Sequence, residues 1–399
     1  MLTLLTNADV YAPEPLGPHH LVVGGERVLW IGTERPAIPD ALLADAVDLR
    51  GARLVPGFID AHVHLTGGGG EAGARTRVPP VPLSRYTRGG VTTVVGVLGT
   101  DDFTRTPGGL AATARGLTEE GISAWCHTGG YHVPPATITG SVRGDIVHVD
   151  RVIGVGEVAI SDHRSSQPTY DELVKLAGEA HVAGLMSGKA GVVHLHVGDG
   201  ARGLALVRQA LDQSEVPARV FNPTHVNRRR ALFDEAVAVA RRGCTIDVTA
   251  FPPAGADADE YSAEEALARY WASGAPRDRI TVSSDGGGSL PVFDAQGRMT
   301  RMEVGDVGAL AGTLRRLLAR GVPLGQALPP FTSNVAALLR LPRKGVIAPD
   351  ADADFVVLDA AGAVRDVMAR GAWHVRAGEP VRRGTFEPAP PNSSPNTSR

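Results

Sequence analysis

The sequence predicts an α/β fold with a (β/α)8 barrel in the middle of the chain and one small β-domain paired from its two ends. Apolar, β-branched runs recur at residues 57–62, 91–97, 122–127, 152–160, 191–197, 219–224, 243–249 and 279–284. Between many of them lie stretches with helical spacing, such as LALVRQALDQ, ALFDEAVAVARR and AEEALARYWASG. Strand–helix alternation makes parallel βα units, and eight of them match a barrel in number and length. An open doubly wound sheet is the alternative. Outside this region the runs are shorter and punctuated by turns. LLTNADVYA, HHLVVGGERVLWIGTE and AVDLRGARLVPG open the chain, and GVIAPDADADFVVLD, VRDVMARGAWHVRAG and EPVRRGTF return near its end. The expected division is residues 1–54 and 341–387 in the β-domain and 55–340 in the barrel. Residues 388–399 form a tail of disordered composition.

A chain of 399 residues can bury a substantial core. Its formal net charge of −3 gives no electrostatic case for nucleic acid or an anionic membrane as partner. Cys126 and Cys244 are the only cysteines, far apart and in no CxxC pattern, so neither disulfides nor a thiolate zinc site is expected. The N-terminus lacks a basic region followed by a long apolar stretch, and a cytoplasmic location is the expectation.

Barrel chemistry collects at the C-terminal ends of strands, and here those ends are rich in metal-ligand residue types. His62 and His64 close the first run, and alternation in a strand projects them to the same side. Glu157 lies in the fourth run, His196 ends the fifth, His225 follows the sixth and Asp285 ends the eighth. Each alone reads better as a solvated loop residue or a satisfied core group. Six at five strand ends would converge on one mouth.

These residues carry a family resemblance. PGFIDAHVH, the later histidines and SSD resemble the amidohydrolase superfamily of metal-dependent hydrolases. HVHLTGGGGEAG, GVTTVVGVLGTD, TGGYHVPPATITGS, RVIGVGEVAISDHRS, PTHVNR and SSDGGGS are similar to the isoaspartyl (β-aspartyl) dipeptidases within it, from about residue 5 to residue 387. The resemblance implies a distorted (β/α)8 TIM barrel with a β-sandwich from both termini, and a homo-oligomer built from dimers. It also implies two Zn2+ bridged by a carboxylate and a hydroxide that attacks the β-aspartyl peptide bond. Carried onto this chain, His62, His64 and Asp285 would hold one ion, and His196 and His225 the other. Nitrogen and carboxylate donors without thiolate suit zinc, and cobalt, manganese and iron share those preferences.

One position departs from the best-known family pattern. Where that pattern has a carboxylated lysine as the bridge, this chain has Glu157, whose carboxylate lies about three bonds closer to the backbone. Lys175 and Lys189 fall outside the strand segment. GVGEV carries one residue more than the lysine form, and Gly154 and Gly156 would permit a bulge that re-aims the side chain. A site bridged this way should need no bicarbonate.

In the reaction so implied, Asp285 would accept a proton and pass it to the leaving amine, and Tyr131 would donate to the oxyanion. A β-linked dipeptide carries one ammonium and two carboxylates. Glu71, on a loop freed by the Gly67–Gly70 run, would meet the ammonium. Arg164 and Arg228 would clamp carboxylates, with Ser289 and Thr100 as hydrogen-bonding partners. For the arginines, the bland reading is a surface ion pair, and for Tyr131 a packed loop aromatic. Glu71, Arg164 and Arg228 argue against a cyclic-amide hydrolase of the dihydroorotase or hydantoinase kind, since a small cyclic amide offers less charge to bind, and a silent scaffold should have lost its ligands. GDGARG at 198–203 is a literal GxGxxG, but the next strand ends without a ribose-binding acid. GLMSGKA is one residue short of a phosphate loop and has Ala190 where Ser or Thr is needed.

Overall fold

The computed structural model describes residues 1–251, 259–293 and 299–388. The eight expected runs form strands Phe58–Val63, Val91–Gly96, Ser123–Thr128, Val152–Ile160, Val192–Val197, Phe221–Thr224, Ile246–Thr249 and Ile280–Ser283. The first six make one parallel sheet in chain order, and the last two pair with each other. A parallel bridge between Val63 and Gly286 brings the eighth back to the first, and the Asn222 amide donates to the Thr245 carbonyl across the remaining seam at 2.7 Å. This arrangement fits a distorted barrel. It is also what excludes the open doubly wound sheet, whose strand order reverses.

Helices follow the strands, and their ends are chemically marked. Tyr170–Ser187 starts at a Thr169/Glu172 capping box and stops at left-handed Gly188. It buries Leu173, Leu176, Ala177, Ala180 and Ala183, a 3–4 spacing that faces the sheet. The helical stretches read from the sequence appear as Ala205–Gln213, Arg230–Arg241 and Ala263–Ala272.

The two chain ends do meet. Arg53–Pro56 pairs antiparallel with Phe355–Leu358 inside a nine-stranded sheet drawn from both termini. Leu5, Val10, Leu21, Leu54, Phe355 and Met368 give that sheet a hydrophobic cluster of its own. Buried Lys344 ties it to the barrel, reaching Asp354 and the Ser123 hydroxyl at 2.6 Å. The expected tail lies, from residue 389 on, outside the described residues.

The fourth strand carries the irregularity that its glycines suggest. Its ladder with the fifth runs from Val155 opposite Val193 to Val158 opposite Leu195, three residues against two. One extra residue is therefore accommodated at Gly156–Glu157, as in a β-bulge. Gly156 has φ 146°, and a Cβ there would lie 2.5 Å from the His194 carbonyl oxygen. Gly156→Ala is expected to cost about 2–4 kcal/mol and to displace Glu157, read as a lowered Tm together with a lowered metal content.

Candidate metal centre

Alternation along the first strand turns Asp60, His62 and then His64 to one side, and the strand is buried throughout. His225 and Asp285 stand at strand ends in left-handed backbone, φ 61° and 53°. For non-glycine residues this is a strained geometry of the kind that functional sites retain. Glu157 arrives from the bulge. The six side chains expected to meet do so, all buried.

Glu157 divides its two oxygens between two sets of imidazoles. Oε1 lies 3.5 Å from Nε2 of both His62 and His64. Oε2 lies 3.1 Å from His196 Nδ1 and 3.4 Å from His225 Nε2. Asp285 Oδ1 joins the first set, 3.1 Å from His64 and 3.5 Å from His62. His62 Nε2 and Asp285 Oδ1 are buried without a hydrogen-bond partner, an arrangement that is costly unless something else is bound there. Three overlapping groups, His62/His64/Glu157, His62/His225/Asp285 and Glu157/His196/His225, have the spacing to hold a cation. Nitrogen and carboxylate oxygen are the only donors, and both cysteines are buried elsewhere. The residues fit divalent zinc or its neighbours.

The electrostatics ask for positive charge. Burial pushes the Glu157 carboxyl upward, but His62 and hydrogen bonds from the surrounding imidazoles outweigh it and hold it well below the carboxylate range. Burial opposes charge on His62, yet Glu157 and Asp285 raise its pKa well above the ordinary histidine value. Burial lowers His225 to about 3. A metal ion must therefore displace a proton from His62, so affinity should rise with pH and fall on acidification, by roughly tenfold per pH unit for each proton displaced. Zinc titration calorimetry in buffers of different ionisation enthalpy reads that proton directly.

Above the cluster opens a cleft of about 560 Å³, whose lining includes Glu71, Thr100, Tyr131, Arg164, Arg228 and Ser289. Glu71 accepts from Thr100 at 3.0 Å and from Ser289 at 3.3 Å. These two hydroxyls, expected to bind substrate, thus hold Glu71. Tyr131 OH lies 2.9 Å from His196 Nδ1. Arg164 is less available than expected, since Nε and Nη2 both donate to Asp162, at 3.0 and 2.8 Å. Its Nη1 faces Glu71 at 3.8 Å. Arg228 stands over the Phe251 ring, 5.9 Å from its centroid, with no carboxylate in ion-pair range among the described residues. A larger groove of about 770 Å³ beside Tyr11, Arg53 and Gln326 contains none of the cluster.

Sequence reading missed the groups behind the candidate ligands. Asp162 meets His196 Nε2 at 2.9 Å, and Thr249 meets His225 Nδ1 at 2.7 Å. Asp162 sits in the SDHRS stretch, directly after the fourth strand, where its position was a usable signal. Thr249 offered none. Lys189 donates to the carbonyls of Ile146 and Val149 at 2.7 Å, so it is engaged away from the cluster.

The amidohydrolase family model matches residues 53–374. A β-aspartyl dipeptidase from thermophilic keratin-degrading Fervidobacterium islandicum AW-1, solved in complex with a β-Asp-Leu dipeptide, is 41% identical, with a TM-score of 0.87 over 95% of this chain and 98% of its own. Dihydropyrimidinase from Brevibacillus agri NCHU1002 is 18% identical, with a TM-score of 0.66 over 96% and 97% of the two chains, a likeness of fold alone. The imidazolonepropionase of Streptomyces coelicolor is 27% identical over 186 residues, 43% of this chain. The chain spans less than half the length of the curated relatives it matches in this way.

Proposed function

Because the chain belongs to the amidohydrolase family, and within it to the β-aspartyl dipeptidases, we propose that it hydrolyses isoaspartyl dipeptides at a centre of two divalent ions bridged by Glu157. The observation that carries this reading is the division of the Glu157 oxygens, Oε1 toward His62 and His64 and Oε2 toward His196 and His225. His62, His64 and Asp285 would hold one ion, His196 and His225 the other. When bound, two zinc ions supply an activated water and polarise the scissile carbonyl.

The chain's own residues do the rest. Asp285 accepts the proton of the attacking water at its carboxylate and returns it to the leaving amine. Tyr131 donates from its hydroxyl to the developing oxyanion. Burial raises its pKa well above the ordinary value, so it stays a donor through the working pH range. Glu71, steadied by Thr100 and Ser289, takes the substrate ammonium. Arg228 takes a carboxylate with its whole fork, and Arg164, oriented by Asp162, takes the other through Nη1. Residues 1–54 and 341–387 are read as the small β-sandwich domain and 55–340 as the catalytic barrel. Zinc as the metal, a homo-oligomer built from dimers and a cytoplasmic location belong to the same proposal.

Zinc-loaded protein is assayed on β-Asp-Leu and α-Asp-Leu side by side, without bicarbonate. Hydrolysis of the β-linked dipeptide alone is expected. No hydrolysis of either with two ions bound would sink the substrate, and binding of one ion or none would sink the bridge.

A further inference from the structure

We propose that His194 and Asn222 are positioning residues that fix the tautomer of His62, so that its Nε2 presents a lone pair to the metal centre. The inference rests on the metal-binding reading above and adds two residues to it. The fifth strand repeats the first strand's pattern, His194-Leu195-His196 beside His62-Val63-His64. Its two histidines have nevertheless separate jobs. His196 meets Glu157, whereas His194 Nε2 lies 2.7 Å from His62 Nδ1. His194 Nδ1 lies in turn 2.6 Å from Asn222 Oδ1, and Asn222 Nδ2 donates to the Thr245 carbonyl at 2.7 Å.

The direction of this chain follows from its far end. A backbone carbonyl only accepts, so the Asn222 amide must turn its NH2 toward Thr245 and its oxygen toward His194. An amide oxygen also only accepts, so the His194 proton sits on Nδ1 and its Nε2 carries the lone pair. His62 Nδ1 must then be the donor, which leaves His62 Nε2 unprotonated in the neutral ring. That atom is buried, faces Glu157 Oε1 and Asp285 Oδ1 at 3.5 Å, and has no hydrogen-bond partner. His62, His194 and Asn222 are 0, 0 and 1% exposed, so water cannot reverse the order. The His127 ring stacks on His194 at 5.5 Å between centroids and 21° between planes, holding its orientation. Gly156 fits the fourth strand closely against His194, since a Cβ there would lie 2.9 Å from the His194 Cβ. The bulge that delivers Glu157 and the histidine that orients His62 therefore occupy adjoining space.

Outer-shell partners of a metal-ligating histidine fix its tautomer, and their loss typically costs roughly 10–100-fold in metal affinity. Asn222→Leu frees His194 to take the opposite tautomer, whereas Asn222→Asp keeps an acceptor at the same atom. Zinc binding to the full-length protein is measured by chelator competition, with metal stoichiometry and circular dichroism, for the unaltered protein, Asn222→Leu, Asn222→Asp and His194→Leu. The expected result is about 10–100-fold weaker binding of one of two ions in Asn222→Leu and His194→Leu, with an intermediate affinity in Asn222→Asp, which keeps the acceptor toward His194 but loses the donor to the Thr245 carbonyl. Nitrogen-15 spectra of the zinc-loaded unaltered protein should show His194 neutral and protonated at Nδ1, a readout that survives even if a variant fails to fold. Unchanged zinc affinity in folded Asn222→Leu and His194→Leu, or His194 protonated at Nε2, would overturn the inference. Failure of the unaltered protein to bind zinc would instead overturn the metal reading beneath it.

Discussion

Replacing Glu157 by alanine is expected to remove metal retention and hydrolysis together, with activity falling by at least about 10³-fold, well beyond the ~10–100-fold of an outer-shell change. Every imidazole of the cluster faces one of its two oxygens, so both sets lose the carboxylate they share. Metal analysis after gel filtration, with circular dichroism to show that the fold survives, reads the result. Glu157→Lys should not restore activity even with bicarbonate. Glu157 already reaches both sets of imidazoles from position 157, and a longer, carboxylated side chain would overshoot. Retention of two ions by Glu157→Ala would refute the bridge. Reactivation of metal-stripped, unaltered protein only when bicarbonate is added would do the same.

Asp285→Asn should behave differently. The amide keeps the shape and an oxygen donor but cannot accept a proton, so zinc should stay bound while kcat falls by about 10²–10⁴. Burial pushes the Asp285 carboxyl up, but the adjacent His62 and His64 imidazoles outweigh that and hold it well below its ordinary range. A depressed pKa means that the proton-accepting form is present throughout neutral pH and is lost only on strong acidification. The unaltered enzyme should thus show no loss of this base near neutrality. A variant with zinc lost and kcat per bound metal unchanged would make Asp285 a ligand without a proton-transfer role.

How far the sequence reached is clearest at the fourth strand. GVGEV announced an extra residue beside two glycines, and the ladder with the fifth strand has that irregularity at Gly156–Glu157. The spacing of His62 and His64 likewise needed only the two-residue period of a strand to place both rings on one side. The pattern HLH in the fifth strand carried the same local information but not its meaning. Nothing local distinguishes His194, which meets another histidine, from His196, which meets Glu157. The arginines repeat the point, since SDHRS put Asp162 and Arg164 two residues apart without saying that their side chains pair.

The sequence by itself determined the strand–helix alternation, the two β-rich ends and the six residues at strand ends, because backbone periodicity and residue chemistry are local properties. Only the tertiary structure decided that Thr100 and Ser289 steady Glu71, that Asp162 occupies Arg164, and that Asn222 sets the direction of a proton chain ending at His62. Each of these depends on which neighbour lies within reach of a polar group. For Glu71 and His194 that neighbour lies on another strand or loop, which the closing barrel brings within hydrogen-bonding distance, and for Arg164 it is the turn after the fourth strand that folds Asp162 back onto the guanidinium.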